Sequence, residues 1–464
     1  MSPLSPARTA GFVIGAVVAA ASLVGAAGLI WLDLPGVSRG TVSVSAQPPA
    51  AASVATCSGP LLASGRDATQ AALLTDAAPQ AVTSASSARG EVPTRTLTPT
   101  DVPGGAGPAT VTVPPGPDGD RVDLAAAGSA TVRADDATGF AASSCTRAEM
   151  ESWLVTGAGT TGAADLVVLS NPGDVASLVT LTVYGASGLV RPAAGKDIVV
   201  AAGTQRVVPL AAIALGEENP VVRVTATQAP VQASVQSSLT RVLAPVGIDQ
   251  SAAVGAPSDT LAIPGVAVAL APGQQGASDV STYLRLVAPG ANGTATVTVT
   301  GTAGAAAQTQ TIPVTADVPL RLDLGPLAVG TYTVSVTATT PVTGAVWSTT
   351  GFAAGSDFAW FTPAPDLSAP TLVAVASGPA PVLTVTSDVD QAVTLERTDG
   401  GDAQQLRVTA DGSATVPVAA GETYRISAVS PVRAAVSYSG AGSLAGYPVP
   451  SGDAAESAIV VYPR

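Results

Sequence analysis

The acids offer the first candidates for chemistry: 33 Asp and Glu against 20 Lys and Arg, with adjacent pairs at Asp135-Asp136 and Glu217-Glu218. A glycosidase needs two carboxyls converging on one bond. Neighbouring residues on a strand point to opposite faces, so neither pair converges, and both read as solvated turn acids. Three acidic runs present oxygens that a calcium ion would accept: Asp118-Gly-Asp120-Arg-Val-Asp123, Asp388-Val-Asp390 and Asp399-Gly-Gly-Asp402. None has the spacing of a known calcium loop, and Arg121 sits inside the first. No metal, cofactor or catalytic residue is therefore assigned. The chain has no histidine, which removes Ser-His-Asp and Cys-His nucleophile pairs, histidine bases and the common zinc sites. Lys196 is the sole lysine and reads as a solvated loop residue, leaving Schiff-base chemistry no other position. A net charge of −13 excludes a phosphate-tracking groove, so nucleic acid is not an expected partner. The two cysteines, Cys57 and Cys145, lack any group to activate a thiolate and pair naturally as a disulfide.

The elements that must position these residues begin with an uncharged stretch. Residues 11–32, between Arg8 and Asp33, carry no charge and as a helix reach about 33 Å, enough to span a bilayer. An ordinary leader has a shorter apolar region, so an uncleaved signal anchor is expected, although Val44-Ser45-Ala46 resembles a cleavage site. Arg8 lies before the span and Trp31 near its far end, which orients the N-terminus to the cytoplasm and the bulk of the chain outside, where a disulfide persists. Gly11 and Gly15 form a Gly-x-x-x-Gly pair of the kind that packs two such helices; the oligomeric state stays open.

Short Val/Thr-rich runs of alternating polarity, separated by Gly and Pro turns, mark the rest as all-β. One unit recurs three times: Ala-Pro230-Val-Gln-Ala-Ser-Val-Gln236, Thr-Pro341-Val-Thr-Gly-Ala-Val-Trp347 and Ser-Pro431-Val-Arg-Ala-Ala-Val-Ser437. Three copies about 100 residues apart predict three tandem immunoglobulin-like β-sandwich modules, and each Pro-Val corner reads as a hairpin bend. The expected layout is a cytoplasmic tail at 1–10, the anchor at 11–32, a Pro/Ala/Ser/Thr-rich stalk at 33–128 with some strands joining the first module, and modules at 129–250, 258–362 and 370–464. Boundaries are expected near 249–257 and 362–370.

Alternation within the repeat puts Gln236, Trp347 and Ser437 at equivalent positions facing away from the core. A tryptophan there needs a cover. Together with Phe358, Trp360 and Phe361 it forms the most aromatic stretch of the ectodomain, a candidate interaction surface or a packing contact between modules.

Cys57-Ser-Gly-Pro-Leu-Leu62, Gly139-Phe-Ala-Ala-Ser-Ser-Cys145, Trp153 and Leu166-Val-Val-Leu-Ser-Asn171-Pro-Gly resemble the landmarks of an actinobacterial family of membrane-anchored extracytoplasmic β-rich proteins of uncharacterised function. In that family a glycine pair usually follows the tryptophan; here Gly157-Ala158 keeps one glycine. Members tend to be encoded near envelope glycosyltransferases, so the resemblance implies an envelope role and no catalytic residue. The expected function is a non-enzymatic scaffold or interaction protein of the cell envelope, with a protein or glycan partner. The alternatives are a carbohydrate-processing envelope enzyme, or its accessory subunit, and a polysaccharide-binding protein.

Overall fold

A computed structural model describes residues 13–24, 44–46, 50–66, 69–70, 72–88, 92–117, 119–270, 280–302, 306–452 and 459–461. The chain divides into two compact units, residues 1–49 with 456–464, and residues 50–455. In the first, strands Val44–Ala46 and Ile459–Val461 pair antiparallel. A helix over 13–24 leaves its side chains exposed. Among the described residues no helix is long and apolar enough to cross a membrane; the remainder of the expected span, 11–12 and 25–32, lies outside them.

The second unit is built of paired β-strands throughout. The stretch expected as a stalk with some strands carries, in this unit, strands among its described residues from Ser53 onward. Strands Ser53–Thr56, Ala109–Val113 and Thr94–Thr96 form one sheet, and Thr138–Ser144, Leu124–Arg133 and Ala81–Ser86 another. Its prolines punctuate the strands, and side-chain alternation lets one face of a paired strand be buried while the other meets solvent. Cys57 and Cys145 close this N-terminal block as a disulfide, with Cα atoms 4.0 Å apart. The bond joins residues 88 apart, a loop whose closure in the unfolded chain is worth on the order of 4 kcal/mol. Strands Leu124–Arg133 and Thr138–Ser144 pair with each other, and Leu124–Arg133 also with Ala81–Ser86, while Ala130, Val132 and Ala141 pack against Ile248 of the first module.

Three further cores follow. In the first module, a sheet of Glu151–Leu154, Val221–Thr227, Ser177–Gly185, Gly188–Val190 and Ile198–Val200 faces one of Ala244–Ala252, Gln232–Arg241, Leu166–Asn171, Thr204–Pro209 and Thr98–Pro99, the last contributed by the Pro/Ala/Ser/Thr-rich stretch. Leu154, Val167, Leu169, Leu181 and Val224 fill the space between. In the third, Thr371–Ala374, Thr423–Ser427, Gln391–Arg397 and Gln404–Val408 face Gly412–Pro417, Val382–Ser387, Arg433–Gly440 and Ser443–Pro448. Leu383, Val393, Ile426 and Val436 lie in that core, joined by Phe140 and Ala142 of the N-terminal block.

The middle module is held together by one strand of 20 residues, Gly330–Thr349. Its first half pairs with Gly293–Gly301 and Ser258–Val268, its second with Thr282–Val287 and Phe358–Phe361. This overturns the hairpin reading of the repeated corner. Val221–Thr227 and Gln232–Arg241 lie in different sheets, as do Thr423–Ser427 and Arg433–Gly440. The Pro-Val corner carries the chain across the core from one sheet to the other. Proline ends the first ladder because it has no N–H to give, and after Pro230 the side chains of Val231, Ala233 and Val235 enter the same core as Val222 and Val224.

Candidate functional site: the buried junction of the modules

Alternation does place Trp347 on the side away from its own core: Val346 joins the middle core and Trp347 does not. That side is not solvent. Trp347 is only 7% exposed, and Gln236 and Ser437 are buried as well. Each of the three equivalent positions faces a preceding block. Gln236 clamps the N-terminal block, its Oε1 accepting from Leu62 N and its Nε2 donating to Leu62 O, both at 2.8 Å. Trp347 enters a cluster with Trp153, Tyr184 and Val221 of the first module. Ser437 Oγ approaches Gly265 of the middle module. The repeat therefore encodes a docking face as well as a strand.

The aromatic stretch is correspondingly closed. Phe358, Trp360 and Phe361 are buried, so of the two readings of this stretch the burial fits the packing contact and not the open surface: in this conformation none of the four side chains is open to a partner. Tyr283 stacks on Trp347 at 5.1 Å and meets Trp360 edge-on at 5.8 Å. Phe361 turns the other way, into the middle core. Substituting Trp347→Ser should cost about 3–5 kcal/mol, the range for losing a buried large aromatic; urea denaturation of the full chain measures it, and a loss below about 0.5 kcal/mol, as at a surface site, would show the ring to be uncovered.

Two ionisable side chains missed by sequence reasoning sit at the centre of this junction. Asp357, buried, receives four backbone N–H groups. Phe140 N (2.9 Å) and Leu444 N (3.0 Å) donate to Oδ2, and Ile248 N (3.2 Å) and Phe358 N (3.0 Å) to Oδ1. The donors come from the N-terminal block, the third module, the first module and its own strand, so one carboxyl joins all four parts. The close approach demands glycine. A Cβ on Gly139 would lie 2.6 Å from Asp357 Oδ1 and one on Gly247 2.8 Å from the same atom, and both residues have positive φ, +142° and +137°. Burial pushes the Asp357 carboxyl well above the usual carboxylate range, opposed by its N–H donors.

Arg285 is the second. It is the largest fully buried side chain, on the middle module's strand Thr282–Val287, and its guanidinium reaches into the first module. Nη1 donates to Gly157 O (2.7 Å) and Pro220 O (3.0 Å), and Nη2 to Glu218 O (3.2 Å). Its Cζ stands 4.5 Å from the centre of the Trp360 ring, a cation–π contact. Burial lowers its pKa to about 10, so it stays charged at neutral pH. The signal for it was a cation inside the apolar run Tyr283-Leu-Arg285-Leu-Val287; Asp357 has no comparable mark beyond preceding Phe358.

Two more carboxyls are fully enclosed. Asp165 accepts from Ala158 N (2.6 Å) and Ser238 N (2.8 Å), and Asp249 from Trp360 N (2.8 Å). Burial raises each pKa to about 7. The folded state then holds protons that the unfolded chain, titrating near 4, releases. Stability from these groups is full below pH 4 and is lost as the pH rises to about 7, by at most about 4 kcal/mol for each carboxyl. Melting temperatures taken from pH 4.5 to 8 should fall with rising pH and level off above about 7; a rise across that interval would contradict the protonated assignment.

The acids weighed for chemistry serve locally. Asp136 pairs with Arg66 at 2.7 Å, Glu217 accepts from Ala186 N, and Glu218 gives only its backbone carbonyl to the junction. Asp388 bonds Arg433, Asp390 accepts from Ala410 N, and Asp399 bonds Arg397. Asp118 lies outside the described residues. Among the described residues no three Asp, Glu, His or Cys side chains cluster as a metal site would require.

What these features define is an all-β, disulfide-closed protein whose sheets are fastened by buried polar joints. The chain belongs to a family of unknown function, DUF5719, whose model matches residues 117–421. Among solved structures, the BSP domain of a biofilm-associated protein is similar at 11% identity over 71% of this chain, with a TM-score of 0.12; the chain spans 64% of that structure's length. No curated protein matches.

Proposed function

We propose that the chain is a non-enzymatic, membrane-anchored scaffold of the cell envelope, in which an N-terminal block and three immunoglobulin-like modules act as one rigid extracytoplasmic platform. The observation that carries this reading is the Asp357 joint: a carboxyl shared by four parts of the chain fixes their mutual geometry, which a platform needs and a flexible tether does not. The disulfide suits an oxidising exterior. The apolar helix over 13–24 exposes Val13, Ile14, Val17 and Val18, as the core of a lipid-embedded anchor would. With the aromatic stretch closed inside, the partner, an envelope protein or glycan, meets the outer strands and loops. The test is crosslinking in native membranes with identification of captured envelope components, alongside protease treatment of intact cells. The expected result is a membrane-bound chain cleaved from outside and captured with a defined partner. A chain released by washing, or turnover of envelope glycan by the purified protein, would overturn the proposal.

A further inference from the structure

Both linkers between modules, the loop after Ala252 and the Pro363-Ala-Pro365 segment, border a cleft of ≈ 400 Å³ at which all four parts of the second unit meet. That volume falls in the range of roughly 300–1,000 Å³ that holds a small-molecule ligand. Its lining sets aliphatic side chains, Leu124, Val231, Val254 and Leu372 among them, beside Ser, Thr and charged residues, and contains no aromatic side chain among the described residues. Of its several Ser and Thr residues, two are buried without a hydrogen-bond partner. Ser144 and Ser152 both line the cleft, 1% and 5% exposed, and the Oγ of neither has a hydrogen-bond partner among the described residues. Their strand neighbours on the same face are core residues: Phe140 and Ala142 for Ser144, and Leu154 for Ser152. An alanine would continue those faces without leaving an unmet hydroxyl, and a buried hydroxyl with no partner is unfavourable.

The charges on the lining are matched. Arg147 Nε lies 2.6 Å from Glu149 Oε1, and Arg433 Nε lies 2.7 Å from Asp366 Oδ1. No net charge is offered to an ionic ligand, and without rings the wall gives a sugar no face to stack on. We infer that the cleft binds an uncharged molecule with an aliphatic body and one or two hydrogen-bonding groups, which Ser144 and Ser152 engage. The site lies apart from the aromatic junction and does not depend on the scaffold reading.

A photoreactive diazirine analogue of octanol, applied to the full chain, tests this, with label positions mapped by peptide sequencing. The expected label is saturable, falls on peptides bordering the cleft, and is competed by octanol and not by octanoate, which has the same tail and a charge. The double variant Ser144→Ala, Ser152→Ala should raise the half-saturating concentration roughly tenfold while its melting temperature stays level or rises. A purely structural role for the hydroxyls would lower the melting temperature instead. Ala253→Leu, which fills space at the half-buried wall, should abolish the label. Label spread unsaturably over the chain, equal competition by octanoate, or a double variant that melts earlier and binds unchanged would overturn the inference, the cleft then holding only water.

Discussion

Asp357→Ala should destabilise residues 50–455 by about 4 kcal/mol or more. Removing the carboxyl leaves the N–H groups of Phe140, Ile248 and Leu444 in a space water cannot easily reach, and each buried donor without a partner costs about 1–3 kcal/mol. Against this stands the relief of an enclosed acid whose pKa burial has raised. The donors win, because three of the four belong to other parts of the chain and lose their common acceptor at once. Asp357→Asn keeps one carbonyl oxygen and should cost less than alanine. Gly247→Ala reaches the same joint from the other side: its Cβ would meet Asp357 Oδ1, Phe358 N and the Phe358 ring within 3 Å, so backbone must shift. Chemical denaturation of the three variants should rank alanine at 357 and alanine at 247 as severe and asparagine as intermediate. If Asp357→Ala costs under about 1 kcal/mol, the carboxyl is a bystander.

Arg285→Met should be the second large effect, on the order of 3–5 kcal/mol, the range for removing one side of a buried charged interaction. Methionine matches much of the volume and spares the desolvation of a cation, which alone would stabilise. The oxygens of Gly157, Pro220 and Glu218 would then face an apolar side chain, however, and these unmet acceptors outweigh the gain. Arg285→Lys keeps the charge and should still lose most of the stability, because a single ammonium cannot reproduce the planar fork that serves three carbonyls. Urea midpoints for the pair decide it: equal, near-wild-type values would show that Arg285 only fills space.

The repeat was legible because three copies of one alternating pattern survive around Pro230, Pro341 and Pro431. What the corner does was not. A strand's pattern records which side is buried but not which neighbour supplies its ladder, so a crossing between sheets and a hairpin read alike. The same limit explains Trp347: period two correctly turned it from its own core, and nothing local says that another module covers the far side. Within the stretch expected as a stalk, the alternation of Ala109–Val113 marked strand structure, whereas Leu74–Ala78 and Ala81–Ser86, rich in Ala, Ser and Thr, carry no run of large apolar residues and read as linker. The disulfide was legible by elimination. Asp357 was not, because its meaning lies in four N–H groups brought from positions 140, 248, 358 and 444, and no spacing encodes that convergence.

Differential scanning calorimetry of the intact protein measures most directly whether these parts form one body. If the joints at Asp357 and Arg285 lock the N-terminal block and the three modules together, residues 50–455 unfold in one cooperative transition, with calorimetric and van't Hoff enthalpies equal, and Asp357→Ala splits that transition into two or more. Three or four separable transitions in the wild-type chain would show independent modules in loose contact and would contradict the rigid platform.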